Sequence, residues 1–278
     1  MERAVRNRGD ALLASFRSIL TKGTAPPEPS SREKFLAQRQ DAINRFEQIN
    51  PLKGDKPLRG YLEAAFLPEQ FDSSRFTLPV LRASAERAHV TYTGWPFLYM
   101  HANTPDRTYP IQGGWETFVH TKDFGNDDLL DFWRFQQSGF FYHRTTLRPT
   151  VSKNADGIVL VADLKSIAVY VGEAIDCLTR LYDGLFDDTE YITFFQRVLN
   201  TQDRTLVNAW GGMPLFNAYT CRIPEIIVEQ RLPLADWRAG VVDHAVDITN
   251  EIYLRFNWTK PNLDLARTAV ERTFARKW

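Results

Sequence analysis

The sequence predicts an α+β fold in which antiparallel sheet units pack with long helices and two helices close the chain. Three observations point there. Helical periodicity governs the start, the middle and the end of the chain; short apolar runs bounded by Gly and Pro fill the segments between; and strands do not alternate with helices as a doubly wound sheet requires. The 278 residues are 44% aliphatic or aromatic and 24% charged, the balance of a chain that buries a real core. The 19 Phe, 10 Tyr and 7 Trp need a packed interior or a stacking surface.

In order, Glu2 to Leu20 places Ala4, Val5, Leu12, Leu13, Phe16, Ile19 and Leu20 at helical spacing. With no capping residue ahead of it, the segment 1–21 reads as the trailing helix of a missing N-terminal domain. Residues 22–31, with Pro26, Pro27 and Pro29, read as a linker, and 32–278 as the α+β domain, with a sub-division near 150–160 left open. A helix capped by Ser31 carries Phe35, Leu36, Ala42, Ile43, Phe46 and Ile49 and stops before Pro51. The apolar run Leu58 to Leu67 suits a strand, and Thr77 to Ala88, with Pro79 in its first turn, a short helix.

Val90 to Arg148 reads as antiparallel sheet, with runs at Trp95 to Met100, Trp115 to His120, Phe132 to Gln136 and Phe140 to Thr146 and turns at Gly113-Gly114 and Ser138-Gly139. A helix from Asn126 to Gln137 fits part of the same segment, and periodicity does not separate the two readings. Helical pattern resumes behind Asp163, an N-cap, and ends before Gly184. Tyr191 to Val198 and Thr205 to Val207 look like a hairpin around Asn200 to Asp203. Arg222 to Gln230 reads as a strand, followed by helices from Pro233 to Phe256 and from Pro261 to Arg276.

Lys and Arg number 34 and so do Asp and Glu, so the whole chain has no electrostatic footprint for polyanions. Residues 1 to 60 hold 12 basic against 7 acidic side chains, which a solvated helix pair explains as well as a nucleic-acid patch does. Cys177 and Cys221 lack partners at disulfide-framework or zinc spacing. No apolar run approaches the roughly 20 residues of a membrane span, so a cytoplasmic protein with no membrane partner is expected.

No phosphate-binding loop, Gly-x-Ser-x-Gly or His-Glu-x-x-His motif is present, and no cofactor is expected. His120, Lys122, Asp123, Asp127 and Asp128 include the residue types of a metal-dependent nuclease, but a polar loop explains them; Asp123, Asp127 and Asp128 are weak metal candidates. His244, with Asp243, Asp247 and Glu251, reads as the solvated face of a helix. The candidate binding surface is Trp133, Arg134, Tyr142, His143 and Arg144, where rings beside arginines and a histidine offer stacking and anion recognition. A sheet with the rings in its core is the alternative. No catalytic residue is assigned.

The stretch Glu2 to Leu20 resembles the helix that follows the AlbA-like domain in bacterial Schlafen AlbA-type DNA-binding or ATP-binding proteins. Gly94-Trp95-Pro96-Phe97, Asp131 to His143 and Arg255-Phe256-Asn257-Trp258 look like signatures of the region downstream of that domain, whose core is absent here. The resemblance implies a role in transcription control or phage defence; because each candidate catalytic cluster has an adequate structural explanation, a non-catalytic regulatory, sensing or interaction module is expected. The resemblance also implies an AlbA-like domain as partner, in cis or in trans, with nucleic acid met through that partner; self-association stays open. The alternative is a nuclease using the carboxylates around Asp123 to Asp128.

Overall fold

Tyr61–Pro68 (β1) is buried along its whole length, as a strand paired on both edges and covered on both faces must be. It lies inside a seven-stranded antiparallel sheet of a computed structural model that describes residues 28–52, 59–100, 108–122, 128–149, 151–154, 157–209 and 215–275. The other strands are Thr108–Ile111 (β2), Gly114–Lys122 (β3), Asp128–Gln136 (β4), Phe141–Thr146 (β5), Tyr191–Leu199 (β8) and Glu225–Pro233 (β10). Their order is β10-β8-β1-β5-β4-β3-β2. A smaller sheet combines Val151–Asn154 (β6), Gly157–Asp163 (β7) and Thr205–Val207 (β9), with β9 parallel to β7. The chain is therefore α+β, and its last two helices are those the sequence predicts in kind.

Strand alternation sorts the side chains into two layers. Leu62, Ala64, Phe66, Trp133, Phe135 and Phe141 face the main core, filled from outside by Leu78–Ala88 (α2), Leu164–Leu181 (α3), Leu234–Ala239 (α4), Val241–Arg255 (α5) and Leu263–Phe274 (α6). Tyr61, Ala65, Leu67, Phe132, Tyr142 and Phe195 face the opposite side, under Ser31–Ile49 (α1). Ala162 of β7 and Leu206 of β9 belong to the main core, so the small sheet shares it. Arg204 adds a polar link: its buried guanidinium donates to the carbonyls of Asn200 (2.6 Å), beside the large sheet, and Val161 (3.1 Å), in the small one. Burial pushes its pKa down to about 10.

Local chemistry accounts for the element ends. Ser30, one residue before the predicted cap, closes a capping box with Glu33 at the start of α1. Asp163 caps α3, accepting from the Ser166 amide at 2.8 Å. The segment left open between hairpin and helix is a hairpin, β4 to β5, and Gly139 at its turn has φ +86°, with a would-be Cβ 2.7 Å from the Phe186 ring and 3.2 Å from Pro68. No helix among the described residues is long and apolar enough to cross a membrane.

The structure differs from several expectations. Tyr191 to Leu199 and Thr205 to Val207 are strands but do not pair, because β8 already has β1 and β10 on its two edges. Trp95 to Met100 is not a strand; it contributes only the bridge between Val90 and Phe97. The long helix from Pro233 is broken at Gly240, where φ is −131° and the weakest non-proline helix former interrupts the run. Strands β6 and β7 lie in a segment that carries no prediction. The helix expected over Glu2 to Leu20 and residues 22–27 of the linker fall outside the described residues.

Candidate polar site beneath helix α1

The hairpin β4–β5 does not present Trp133, Arg134, Tyr142, His143 and Arg144 as one exposed surface. All five are buried, and alternation divides them: Trp133 and His143 point to the main core, while Arg134, Tyr142 and Arg144 point to α1. Trp133 donates from Nε1 to the Tyr99 carbonyl (2.9 Å). His143 sits between the Tyr170 hydroxyl, 2.9 Å from Nδ1, and Asp131, 3.3 Å from Nε2, with the Phe97 ring tilted over it at 4.4 Å. Tyr142 donates to Glu63 at 2.9 Å. As an open stacking platform the set is corrected to a sheet whose rings lie inside.

What the α1 side holds instead is an ion network. Glu63, the single charged residue of β1, is fully buried and accepts from Tyr142, Arg39 of α1 and Arg197 of β8, the last at 3.3 Å. Arg197 also reaches Glu225 of β10. Glu116 of β3, equally buried, accepts from Arg45 of α1 (3.0 Å), from the Tyr109 hydroxyl and from two nitrogens of Arg134. Arg134 also pairs with Asp41 of α1 (2.5 Å), and Arg144 with Glu47 of α1 (3.2 Å). Burial, with the Glu63 charge beside it, raises the Tyr142 pKa well above its usual value.

Two hollows open along the helix. One, of about 460 Å³, is lined by Gln38, Asp41, Gln112, Arg134 and Gln136. The other, of about 260 Å³, is more enclosed and is lined by Ile43, Glu47, Tyr61, Arg144, Arg197 and Asn200, with Leu199 behind. Arg134 and Arg144 are thus the predicted residues that line a hollow. The Arg144 guanidinium is clamped between the rings of Phe46 (4.3 Å) and Tyr61 (4.5 Å).

On the other face a second polar group lies under the loop from Val90 to Met100. Asp131 accepts from the Trp95 indole at 2.8 Å as well as facing His143. Glu173 of α3 is buried nearby; desolvation, with the charges of Asp131 and Asp176 added, raises its pKa to about 8 against a lowering hydrogen bond from Thr93. The group lines neither of the two hollows.

Of the weak metal candidates, Asp123 and Asp127 lie outside the described residues. Asp128 has its two oxygens on His120 (2.8 Å) and Arg59 (2.7 Å); the His120 hydrogen bond, then Arg59, holds its pKa below the usual value against burial. His244 approaches the Asp236 carbonyl at 3.1 Å and stands edge-on to Trp237, while Asp243 pairs with Arg267. Among the described residues no three His, Cys, Asp or Glu side chains are grouped to hold a metal ion. No protein-family model, curated protein or solved structure matches the chain.

Arg39, Arg45, Glu47, Glu63, Glu116 and Arg197 escaped the reading of the sequence. A signal for one existed: Glu63 is a carboxylate inside Tyr-Leu-Glu-Ala-Ala-Phe-Leu, and a charge in a strand buried on both faces must have a buried cation beside it.

Proposed function

We propose that the chain is a non-catalytic regulatory and interaction module in which helix α1 is the responsive element. It works in the cytoplasm beside an AlbA-like nucleic-acid-binding domain, in cis or in trans. The observation that carries this is how α1 is attached. Three of its residues, Phe35, Ala42 and Phe46, are buried, against thirteen of α3. Leu36, Ile43 and Ile49 pack on the same core while partly exposed, and much of the remaining hold on the sheet is polar: Arg39, Asp41, Arg45 and Glu47 each form an ion pair with a strand residue. Exchangeable ion pairs give an element two states of similar free energy more readily than a packed apolar stripe does, because their net worth is small once desolvation is counted. Support for the partner comes from the resemblance of Asp131 to His143 and Arg255 to Trp258 to the region downstream of Schlafen AlbA-type domains.

Amide hydrogen exchange tests the reading. Residues 31–49 are expected to open with a free energy well below that of 164–181, and raising the salt concentration is expected to speed exchange in the first segment and not the second. Equal protection of the two segments at all salt concentrations would remove α1 as the responsive element. Cleavage of DNA or RNA with Mg²⁺ or Mn²⁺ that Asp128→Asn abolishes would replace the module with an enzyme; no cleavage is expected.

A further inference from the structure

We propose that the hollow bounded by α1, β1, β5 and β8 binds a small carboxylate with a short apolar body, which enters by displacing Glu47 from Arg144. The proposal rests on the regulatory reading and deepens it by naming a ligand class. Its first support is an underused arginine. A guanidinium fork binds a carboxylate best through two parallel bonds, as Arg32 does on the surface with Glu229 at 2.6 and 2.8 Å. Arg144 is better placed, its side chain more than nine-tenths buried and its plane held by Phe46 and Tyr61. Yet it meets Glu47 through Nη2 alone at 3.2 Å, and among the described residues its buried Nε has no partner.

Glu47, about one-third exposed, itself lines the hollow beside Arg144. It therefore marks where a ligand carboxylate goes: an internal placeholder on a pre-formed cation. Charge selects a monoanion. Among the described residues, with Glu47 withdrawn, Arg39, Arg144 and Arg197 stand against Glu63 and Glu225, one positive charge in excess. A doubly charged phosphate would be left with an uncompensated charge in a half-enclosed site, at a desolvation cost.

Shape and lining set the rest of the ligand. Ile43, Leu199 and the Tyr61 ring are the apolar walls, and Asn200 stands at the rim. The volume of about 260 Å³ is below that of usual drug-sized pockets, while about 150 Å³ suffices for benzene, so a ring-sized body bearing one carboxylate fits and a nucleotide does not. Displacing Glu47 would release the α1 end that it ties to β5, which couples occupancy to the helix.

Benzoate is the probe, titrated into the full chain and followed by two-dimensional amide NMR, with inorganic phosphate as the competing chemistry. The expected result is saturable shifts at Tyr61, Arg144 and Asn200 with benzoate and much weaker ones with phosphate. Glu47→Gln is expected to tighten benzoate about tenfold by removing the internal competitor, and Arg144→Lys to weaken it about tenfold by removing the fork. Leu199→Trp, which fills the hollow without touching the cation, should abolish binding while the rest of the spectrum stays folded. Absence of saturable benzoate shifts in both wild type and Glu47→Gln would overturn the proposal, as would phosphate binding as tightly as benzoate or binding that survives Leu199→Trp. Failure is separable from that of the regulatory reading: nuclease turnover or a fully protected α1 refutes the latter whatever benzoate does.

Discussion

Replacing Glu63 by Ala is expected to lower the unfolding free energy by about 3–5 kcal/mol, the cost of removing one member of a buried ion group. The side chain is fully buried and holds three donors: Arg39, Arg197 and the Tyr142 hydroxyl. Without it Arg197 keeps Glu225, but Arg39 keeps only its stacking on the Phe195 ring, and Tyr142 is left with a buried hydroxyl and no acceptor. Those orphaned groups, rather than lost attraction, set the size of the effect. Arg32→Ala is the control, because its bidentate pair with Glu229 lies at the surface, where such pairs contribute about 1 kcal/mol or less. Guanidinium unfolding of both variants decides the matter. A loss for Glu63→Ala no larger than for the control would mean that water reaches Glu63 itself, and the reading of that carboxylate as a buried ion-pair centre would have to be given up.

The same network explains what could be read in the sequence and what could not. The hairpin β4–β5 was only half legible: two β-rich runs with Ser138-Gly139 between them offered it, but a helix from Asn126 to Gln137 fitted part of the same segment, and pairing with β1 and β3 is what decides. The helix behind Asp163 was legible because its signals are local, a cap followed by an apolar face. Strand partners were not. Tyr191 to Leu199 and Thr205 to Val207 flank a turn with Asn200 and Asp203 at positive φ, which looks like a hairpin until β10, arriving later in the chain, takes the free edge.

The candidate site failed in a parallel way. Arg134 and Arg144 were visible as arginines among rings, but the acids that pin them, Glu116, Asp41 and Glu47, come from another strand and from α1, 18, 93 and 97 residues away. Period-2 alternation alone already separates His143 from Tyr142 and Arg144; adding the pairing of Trp133 with His143 shows which residues share a core. What no local rule supplies is which face receives a helix with charged residues on its inner side.

A second large effect is expected at Glu173, through pH. Its carboxyl lies buried in α3, and desolvation raises its pKa from 4.5 to about 8, reinforced by Asp131 and Asp176 and opposed by Thr93. In the unfolded chain it titrates near the ordinary value, so between about 4.5 and 8 the folded state holds a proton that the unfolded state has lost. Stability attributable to this group is therefore fully present below about pH 4.5. It declines by about 1.4 kcal/mol per pH unit as pH rises, and levels off above about 8. The whole swing is on the order of 5 kcal/mol. Glu173→Gln keeps the shape and removes the titration. The two proteins should be similar in stability near pH 4.5, and the variant should be more stable by several kcal/mol at pH 8.5, with the difference growing steadily between. Because the comparison is between two proteins that share every other titrating group, the remaining pH dependence cancels. Unfolding curves at a series of pH values measure that difference directly. A difference that stays flat from pH 5 to 8.5 would show that Glu173 ionises inside the fold as easily as outside it, through water or a cation reaching its Oε1, which has no partner among the described residues.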